Sequence, residues 1–581
     1  MAQNRTHLSP NCAMSRVGTP HDDAEQQDGS GLGPSGPLIP NVFDERTVRA
    51  MAELADVDVA IIGTGFGGLY ALHKMRDELG LTVQSFEEAG GVGGTWFWNT
   101  YPGARSDTEV NAYCYLSDKN LFEEWKWSER YPKQKEILSY LNHCADRWNL
   151  RPNIKFNTRV VKTAFNESTS RWELETDTGE KFTAQFLIEG VGLLSSTNYP
   201  DFPGQSSFRG QIYHTARWPK EEVELRGKRI GVIGTGSSGT QVITELAPQA
   251  EHLYVFQRTP QFCVPANHGP LDPEKMKGII GDFDSYRDSV LSSITSFGFD
   301  ESPVPAMSVS PEEREAVFEE AWRQGNGFRF MFAAFSDIGV DPEANKAATD
   351  FLKKKMAQTI KDPVTLEKLT PKDYWAKRPL CNDGYFESFN RDNVSLVDVK
   401  EHPIVEFTEK GIRTDNAEYE LDVIVLATGF DAVSGMYLKI DQSGLGGTTL
   451  QKKWEDRPHA TYGMMAADFP NMFMIYGPMG PFTNQPPVHE WQVDWMADVI
   501  QHVRANNLAT VEPSRELEEH WMVSCDDIAY QTLFMKVDSW INGSNVVGKP
   551  VTNYFYMGGM GAYNELVTTS QKAGYPGFNF T

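Results

Sequence analysis

At 581 residues the chain exceeds what one hydrophobic core normally sustains, so two or three domains are expected. An apolar content of 40% with 23% charged residues describes a globular protein, and a net charge of -25 argues against nucleic acid as the principal ligand while leaving room for one small positive phosphate pocket. Six cysteines, Cys12, Cys114, Cys144, Cys263, Cys381 and Cys525, are scattered without a CxxC pair, which offers neither a zinc cluster nor a redox dithiol and points to a reducing compartment.

Residues 1-50 are rich in Gly, Pro, Ser and acidic groups, as in DDAEQQDGSGLGPSGP, and read as a tail or a surface wrap, because they carry too little apolar surface to offset their ordering entropy. The start lacks a signal-peptide core and no apolar run is long enough to cross a bilayer, so a cytoplasmic protein without a membrane partner is expected. VDVAIIGTGFGG then predicts a strand and a tight glycine turn, LYALHKMRDELG an amphipathic helix, and LTVQSFEE a second strand. Gly63, Gly65 and Gly68 hold the GxGxxG positions, which permit the turn and a close pyrophosphate approach. Glu87 ends the second strand, where a carboxylate accepts both hydroxyls of a ribose.

GTWFWNTYPGARSD follows, with two indoles, an arginine and an aspartate inside one short stretch. A second strand-turn-helix unit opens at KRIGVIGTGSSGTQVITELA, with Gly234, Gly236 and Gly239 as its glycines and Ser237 at the start of its helix. Its next strand ends in VFQRTP, placing Arg258 and Thr259 where the first unit has an acid. A carboxylate there would repel the 2'-phosphate of NADP, whereas a guanidinium and a hydroxyl bind it, so this site favours NADPH; the plain alternative for Arg258 is a surface arginine. Residues 266-370 have helical texture, in PEEREAVFEEAWRQG and EANKAATDFLKKKMAQTI, and read as an insertion. YELDVIVLATGFD reads as a central parallel strand returning to a nucleotide site. HEWQVDW is no zinc motif, because Val493 stands where a second histidine would be needed, and no metal site is expected. The reading is an α/β fold with two Rossmann-like dinucleotide-binding domains, the simplest pairing being FAD in the first and NADPH in the second.

Three blocks carry a family resemblance: GGTWFWNTYPGAR; FRGQIYHTARWP, in the form FxGxxxHxxxWP; and KRPLCNDGYFESFNRDNV. With both glycine motifs in order, the sequence resembles the type I Baeyer-Villiger monooxygenases from about Val57 to Gly559. The resemblance implies bound FAD and NADP, molecular oxygen and a ketone substrate, with ester or lactone formation through a C4a-peroxyflavin and a Criegee adduct. It also implies that Arg378 is the active-site arginine beside the flavin and Asp107 the carboxylate that orients it and modulates flavin and cofactor contacts. For Asp107 the residues leave open a local pairing with Arg105. Thr95 and Trp96 are read as flavin contacts and Trp98 as core packing. Lys377 resembles a lysine that binds the 2'-phosphate, or is a surface charge; Trp540 resembles a tryptophan near NADP and the substrate opening, or packs in the core.

The resulting division places an FAD-binding domain at 51-190 and 393-581, an NADP-binding domain at 191-265 and 371-392, and the helical insertion at 266-370. His214 and Trp218 of the fingerprint suit hydrogen bonding and packing between domains rather than acid-base work. Two other functions remain open: a flavin monooxygenase acting on nitrogen or sulfur nucleophiles, and a non-catalytic nucleotide-binding redox sensor. No obligatory protein partner is inferred.

Overall fold

The structure is a computed structural model and describes residues 55–581, so the predicted tail or wrap at 1-50 lies outside the described residues. The first predicted strand forms at Ala55–Ile62. Its apolar run has no polar face because both faces are covered: Val59 and Ile61 pack with Leu69 and Leu72 of the following helix, while Ala60 and Ile62 enter a second cluster with Phe86, Trp172 and Leu187. The strand pairs in parallel with Val83–Phe86 and Lys181–Glu189. Ile154–Lys155 and Met472–Met474 extend this parallel core, and Arg171–Thr176 and Val160–Asn166 add an antiparallel meander.

The second sheet is wholly parallel, in the order Val394–Asp398, His252–Gln257, Arg229–Ile233, Val423–Leu426, Gln211–His214. This corrects the sequence-based boundary at 393. The strands Val394–Asp398 and Val423–Leu426 belong to the second sheet, not the first, and the VIVL run is central there because it lies between Arg229–Ile233 and Gln211–His214. Both predicted insertion helices form, at Pro311–Gln324 and Pro342–Thr359. The first is capped reciprocally by Ser310 and Glu313, and the two meet through Phe318 and Phe351, whose ring centroids lie 5.5 Å apart.

The insertion is pinned to the loop that follows GTWFWNTYPGARSD by one buried carboxylate. Glu109 receives Arg130 at 2.7 Å, Lys275 at 2.9 Å and Arg329 at 2.6 Å. Burial alone would raise its pKa, but the three cations bring it down to about 2, so it stays charged across the working range. No helix among the described residues is long and apolar enough to cross a membrane.

Candidate active site

Each glycine turn sits at the carboxyl end of the first strand of its unit, where only glycine fits. Gly63 has φ +95°, and a Cβ on Gly68 would lie 2.0 Å from the Gly63 carbonyl oxygen. The second turn repeats this: Gly234 has φ +108°, and a Cβ on Gly239 would lie 2.3 Å from the Gly234 oxygen. The middle glycines differ from their neighbours. A Cβ on Gly65 would meet nothing nearer than the Gly94 Cα at 3.6 Å, and one on Gly236 would meet nothing within 4 Å. Both turns thus keep their middle position clear of protein at the start of a helix, Phe66–His73 and Ser237–Leu246, which fits a bound pyrophosphate.

Glu87 is buried at the first turn. Its Oε2 accepts from the Thr64 amide at 2.9 Å and the Thr64 hydroxyl at 2.7 Å, and its Oε1 accepts from the Ala89 amide at 2.8 Å. Burial raises its pKa and these three donors oppose the rise. At the second turn the Thr235 hydroxyl donates to the Thr259 carbonyl at 3.1 Å, which draws the end of the neighbouring strand against the glycines. Arg258 is exposed there, and Lys377 lies 3.5 Å from Asp373.

A charged pair joins segments far apart in the chain. Arg378 donates from Nη2 to Asp107 Oδ2 at 2.8 Å. Arg105 goes instead to Glu129 at 3.7 Å, so the local Arg105 pairing considered for Asp107 does not form. Burial pulls the Arg378 pKa down, but the charge and hydrogen bond of Asp107 more than restore it, and the side chain remains a permanent cation. Its Nε is buried without a partner, and its guanidinium carbon sits 5.1 Å from the centroid of the Phe328 ring. Asn326, the cap of the Gly327–Ala333 helix, donates to the Asp107 carbonyl at 2.8 Å. The insertion therefore supports both members of the pair.

The two indoles of GTWFWN diverge. Trp96 is buried, donates to the Tyr113 hydroxyl at 3.2 Å and meets that ring edge-on at 5.8 Å. Burial raises the Tyr113 pKa to about 12 although Arg378 pulls it back. Trp98 is not core packing: it is half-buried, with the Arg217 guanidinium 4.1 Å over its ring, and so joins this stretch to the HTARWP block. Thr95 is exposed. Trp540 is half-buried against Phe555 at 6.1 Å, in an aromatic group that continues to Phe482. His489 faces Tyr476 at 5.7 Å, whereas Glu490 accepts the amides of Leu116 at 2.7 Å and Ser117 at 3.0 Å, so the two neighbours serve different places.

His214 is fully inside. Its Nδ1 accepts from the Ala216 amide at 3.1 Å, which leaves Nε2–H to face the Thr428 hydroxyl at 3.2 Å, and Thr428 in turn donates to the Asn198 carbonyl at 2.8 Å. Burial lowers its pKa to about 4. Because the unfolded chain takes up this proton first, stability is retained above the ordinary histidine pKa and lost as the pH falls towards 4. This histidine accounts for a loss of about 2 kcal/mol between neutrality and about pH 5. The urea-stability gap between wild type and His214→Asn is expected to narrow by that amount over the interval; parallel curves would show that His214 titrates normally.

Residues that sequence reasoning missed include Tyr113, Asn326, Phe328 and Gln241. Gln241 donates from Nε2 to Asp107 Oδ1 at 3.3 Å. It carried one legible sign, a polar residue beside Val242 and Ile243 on a helix whose pattern calls for apolar ones. The others are local neighbours only in space.

Two glycine turns of the dinucleotide-binding kind, together with a half-buried arginine held by a buried carboxylate, define the class of an oxidoreductase. Residues 56–268 match the flavin-binding monooxygenase-like family. The chain is 50% identical over 522 residues to a Baeyer-Villiger monooxygenase from Pseudooceanicola batsensis, covering 90% of this chain and 96% of that one. It is 48% identical over 522 residues to a phenazine N-monooxygenase from Lysobacter antibioticus, with 90% and 96% covered. The crystal structure of cyclohexanone monooxygenase from Rhodococcus sp. Phi1 bound to NADP+ is 48% identical, matches with a TM-score of 0.90, and covers 91% of this chain and 100% of that one. The chain belongs to the type I Baeyer-Villiger monooxygenases within the flavin-binding monooxygenase-like family. It is an enzyme, a flavin-dependent monooxygenase.

Proposed function

We propose that the enzyme uses NADPH and molecular oxygen to convert a ketone into an ester or lactone, with FAD on the first glycine turn and NADPH on the second. The observation that carries this reading is the Arg378–Asp107 pair at 2.8 Å, a permanent cation oriented by a buried carboxylate. Flavin, when bound, would pass two electrons from NADPH to molecular oxygen, one atom of which enters the product while the other leaves as water. The chain's own residues hold charge and exclude water. Arg378 stabilises negative charge as it develops on the substrate carbonyl oxygen, and it needs no proton transfer to do so. Asp107 keeps the guanidinium aimed, and the buried Trp96 holds the Tyr113 phenol within reach of the Arg378 charge. Glu87 binds ribose hydroxyls with the lone pairs left free by Thr64 and Ala89. The FAD domain then comprises 55-190 and 431-581, the NADP domain 191-265 and 371-430, and the insertion 266-370.

At the second site, Gly234, Gly236, Gly239 and Ser237 cradle the pyrophosphate, and Arg258, Thr259 and Lys377 select the 2'-phosphate. Arg258→Ala is expected to raise KM for NADPH about ten- to hundredfold, the worth of a hydrogen bond to a charged group, and to leave KM for NADH nearly unchanged. Equal losses with both nucleotides would remove Arg258 from the phosphate contact.

A second reading, oxidation of a nitrogen or sulfur nucleophile, is favoured by one finding, the 48% identity to the phenazine N-monooxygenase. Both reactions add one oxygen atom, so mass alone does not separate them. The deciding experiment supplies NADPH, labelled oxygen and paired panels of ketones, amines and sulfides. A labelled ester or lactone that hydrolyses to an acid and an alcohol supports ketone insertion; labelled N-oxides or sulfoxides alone refute it.

A further inference from the structure

We propose that Gln241 is a positioning residue for the Asp107–Arg378 pair, coupling the helix that opens on the second glycine turn to the charge that serves the oxygen chemistry. The proposal rests on the preceding reading of Asp107 and Arg378.

Gln241 is 4% exposed and sits on the Ser237–Leu246 helix, two residues past Gly239. All of its side-chain partners lie in the GTWFWNTYPGARSD stretch. Nε2 donates to Asp107 Oδ1 at 3.3 Å and to the Arg105 carbonyl at 3.2 Å, and Oε1 accepts from the Tyr101 hydroxyl at 2.8 Å. The carboxylate and the carbonyl only accept, so the amide has one orientation: turning it over would set its oxygen against two acceptors. Tyr101 keeps its proton to support that orientation, since burial raises its pKa to about 12.

The helix backbone is held by the same loop. Gly103 has φ +83°, and a Cβ there would lie 2.7 Å from the Gln241 carbonyl oxygen. The loop therefore clasps this one residue by side chain and main chain together. Asp107 divides its two oxygens, Oδ1 to Gln241 and Oδ2 to Arg378, so a displacement of the helix reaches the guanidinium through two hydrogen bonds. An isolated buried amide is costly, and leucine would serve a helix core better; a fully engaged one fixes a geometry. A nucleotide pyrophosphate at the start of this helix acts on the same rigid element, which makes Arg378 responsive to occupancy of the second site.

The test uses the flavin-loaded full chain. Gln241→Leu removes both donors at similar volume, Tyr101→Phe removes only the phenol, and Gln241→Glu offers Asp107 a proton only when the new carboxyl is protonated. That carboxyl meets Tyr101 and Asp107 directly, with the Arg378 charge behind Asp107 and the Ser238 hydroxyl on Tyr101. In wild type, titration with NADP+ is expected to shift the flavin absorption band. Gln241→Leu should lose most of this shift while the Kd for NADP+ changes less than about threefold, and oxygenated product per NADPH consumed should fall about tenfold or more. Gln241→Glu should resemble Gln241→Leu at about pH 9 and recover product yield as the pH falls to about 6, a rescue that simple loss of packing cannot give.

An unchanged band shift and product yield in Gln241→Leu, or a Gln241→Glu pH profile parallel to wild type, overturns the proposal. Should Gln241→Leu lose flavin, Tyr101→Phe and Gln241→Glu decide it, and wild-type behaviour in both counts against it. If wild type oxygenates only amines or sulfides, the ketone reading fails, but yield per NADPH on those substrates still reads the role of Gln241.

Discussion

Arg378→Ala is expected to lower product formation roughly a hundred- to a thousandfold, as removal of one preorganised donor to a developing oxyanion does in other enzymes. The loss should fall on oxygenation while NADP+ binding persists, because the guanidinium contacts Asp107 and Phe328 and not the glycine turn. Arg378→Lys should recover little. A lysine keeps the charge as a point but loses the planar fork that places one nitrogen on Asp107 and leaves the rest of the guanidinium free. The assay is labelled-product yield set against NADPH consumption. Full yield in Arg378→Ala would move the chemistry elsewhere and reduce the pair to a structural ion pair.

The second large effect separates two glycines only three positions apart. Gly239→Ala drives a Cβ to 2.3 Å from a backbone oxygen, and no flexible side chain is present to yield, so a loss of at least about 2 kcal/mol in stability is expected. Gly236→Ala meets nothing within 4 Å and should fold with an unchanged thermal midpoint. It should nevertheless weaken NADP+ binding about tenfold or more, because its methyl occupies the place the pyrophosphate needs. Calorimetry on both variants checks the pair of outcomes. Gly236→Ala with undiminished NADP+ affinity would disconnect the second turn from the nucleotide.

Much of this arrangement was readable from the sequence wherever the information is local. GTGFGG and GTGSSG announce themselves because steric necessity fixes their outer glycines and ligand approach the middle one, and the two insertion helices follow from apolar period and capping residues. The strand at Val423–Leu426 is equally legible as a buried parallel strand, yet its sheet is not. Apolar runs say that both faces are covered, not which neighbours cover them. The same limit hid Gln241 and Asn326. Their partners at Asp107 are separated by 134 and 219 residues, so no spacing rule connects them. Arg378 and Asp107 are 271 residues apart, so only family likeness joins them in the sequence, where Arg105 is the nearer cation to Asp107.

The interleaved order of the strands bears on how the chain is made. The second sheet begins at Gln211–His214 and receives the strand that joins it to the rest, Val423–Leu426, only after the insertion has been synthesised; the first sheet waits longer still, for Met472–Met474. At ribosomal speeds of about 5–20 residues per second, the half-built second sheet stands open for on the order of ten to forty seconds with an unpaired edge on Arg229–Ile233. Neither nucleotide unit is a contiguous piece of gene, so truncation before 423 removes an interior strand of one sheet and cuts its edge strand loose, and no simple cut yields either unit whole.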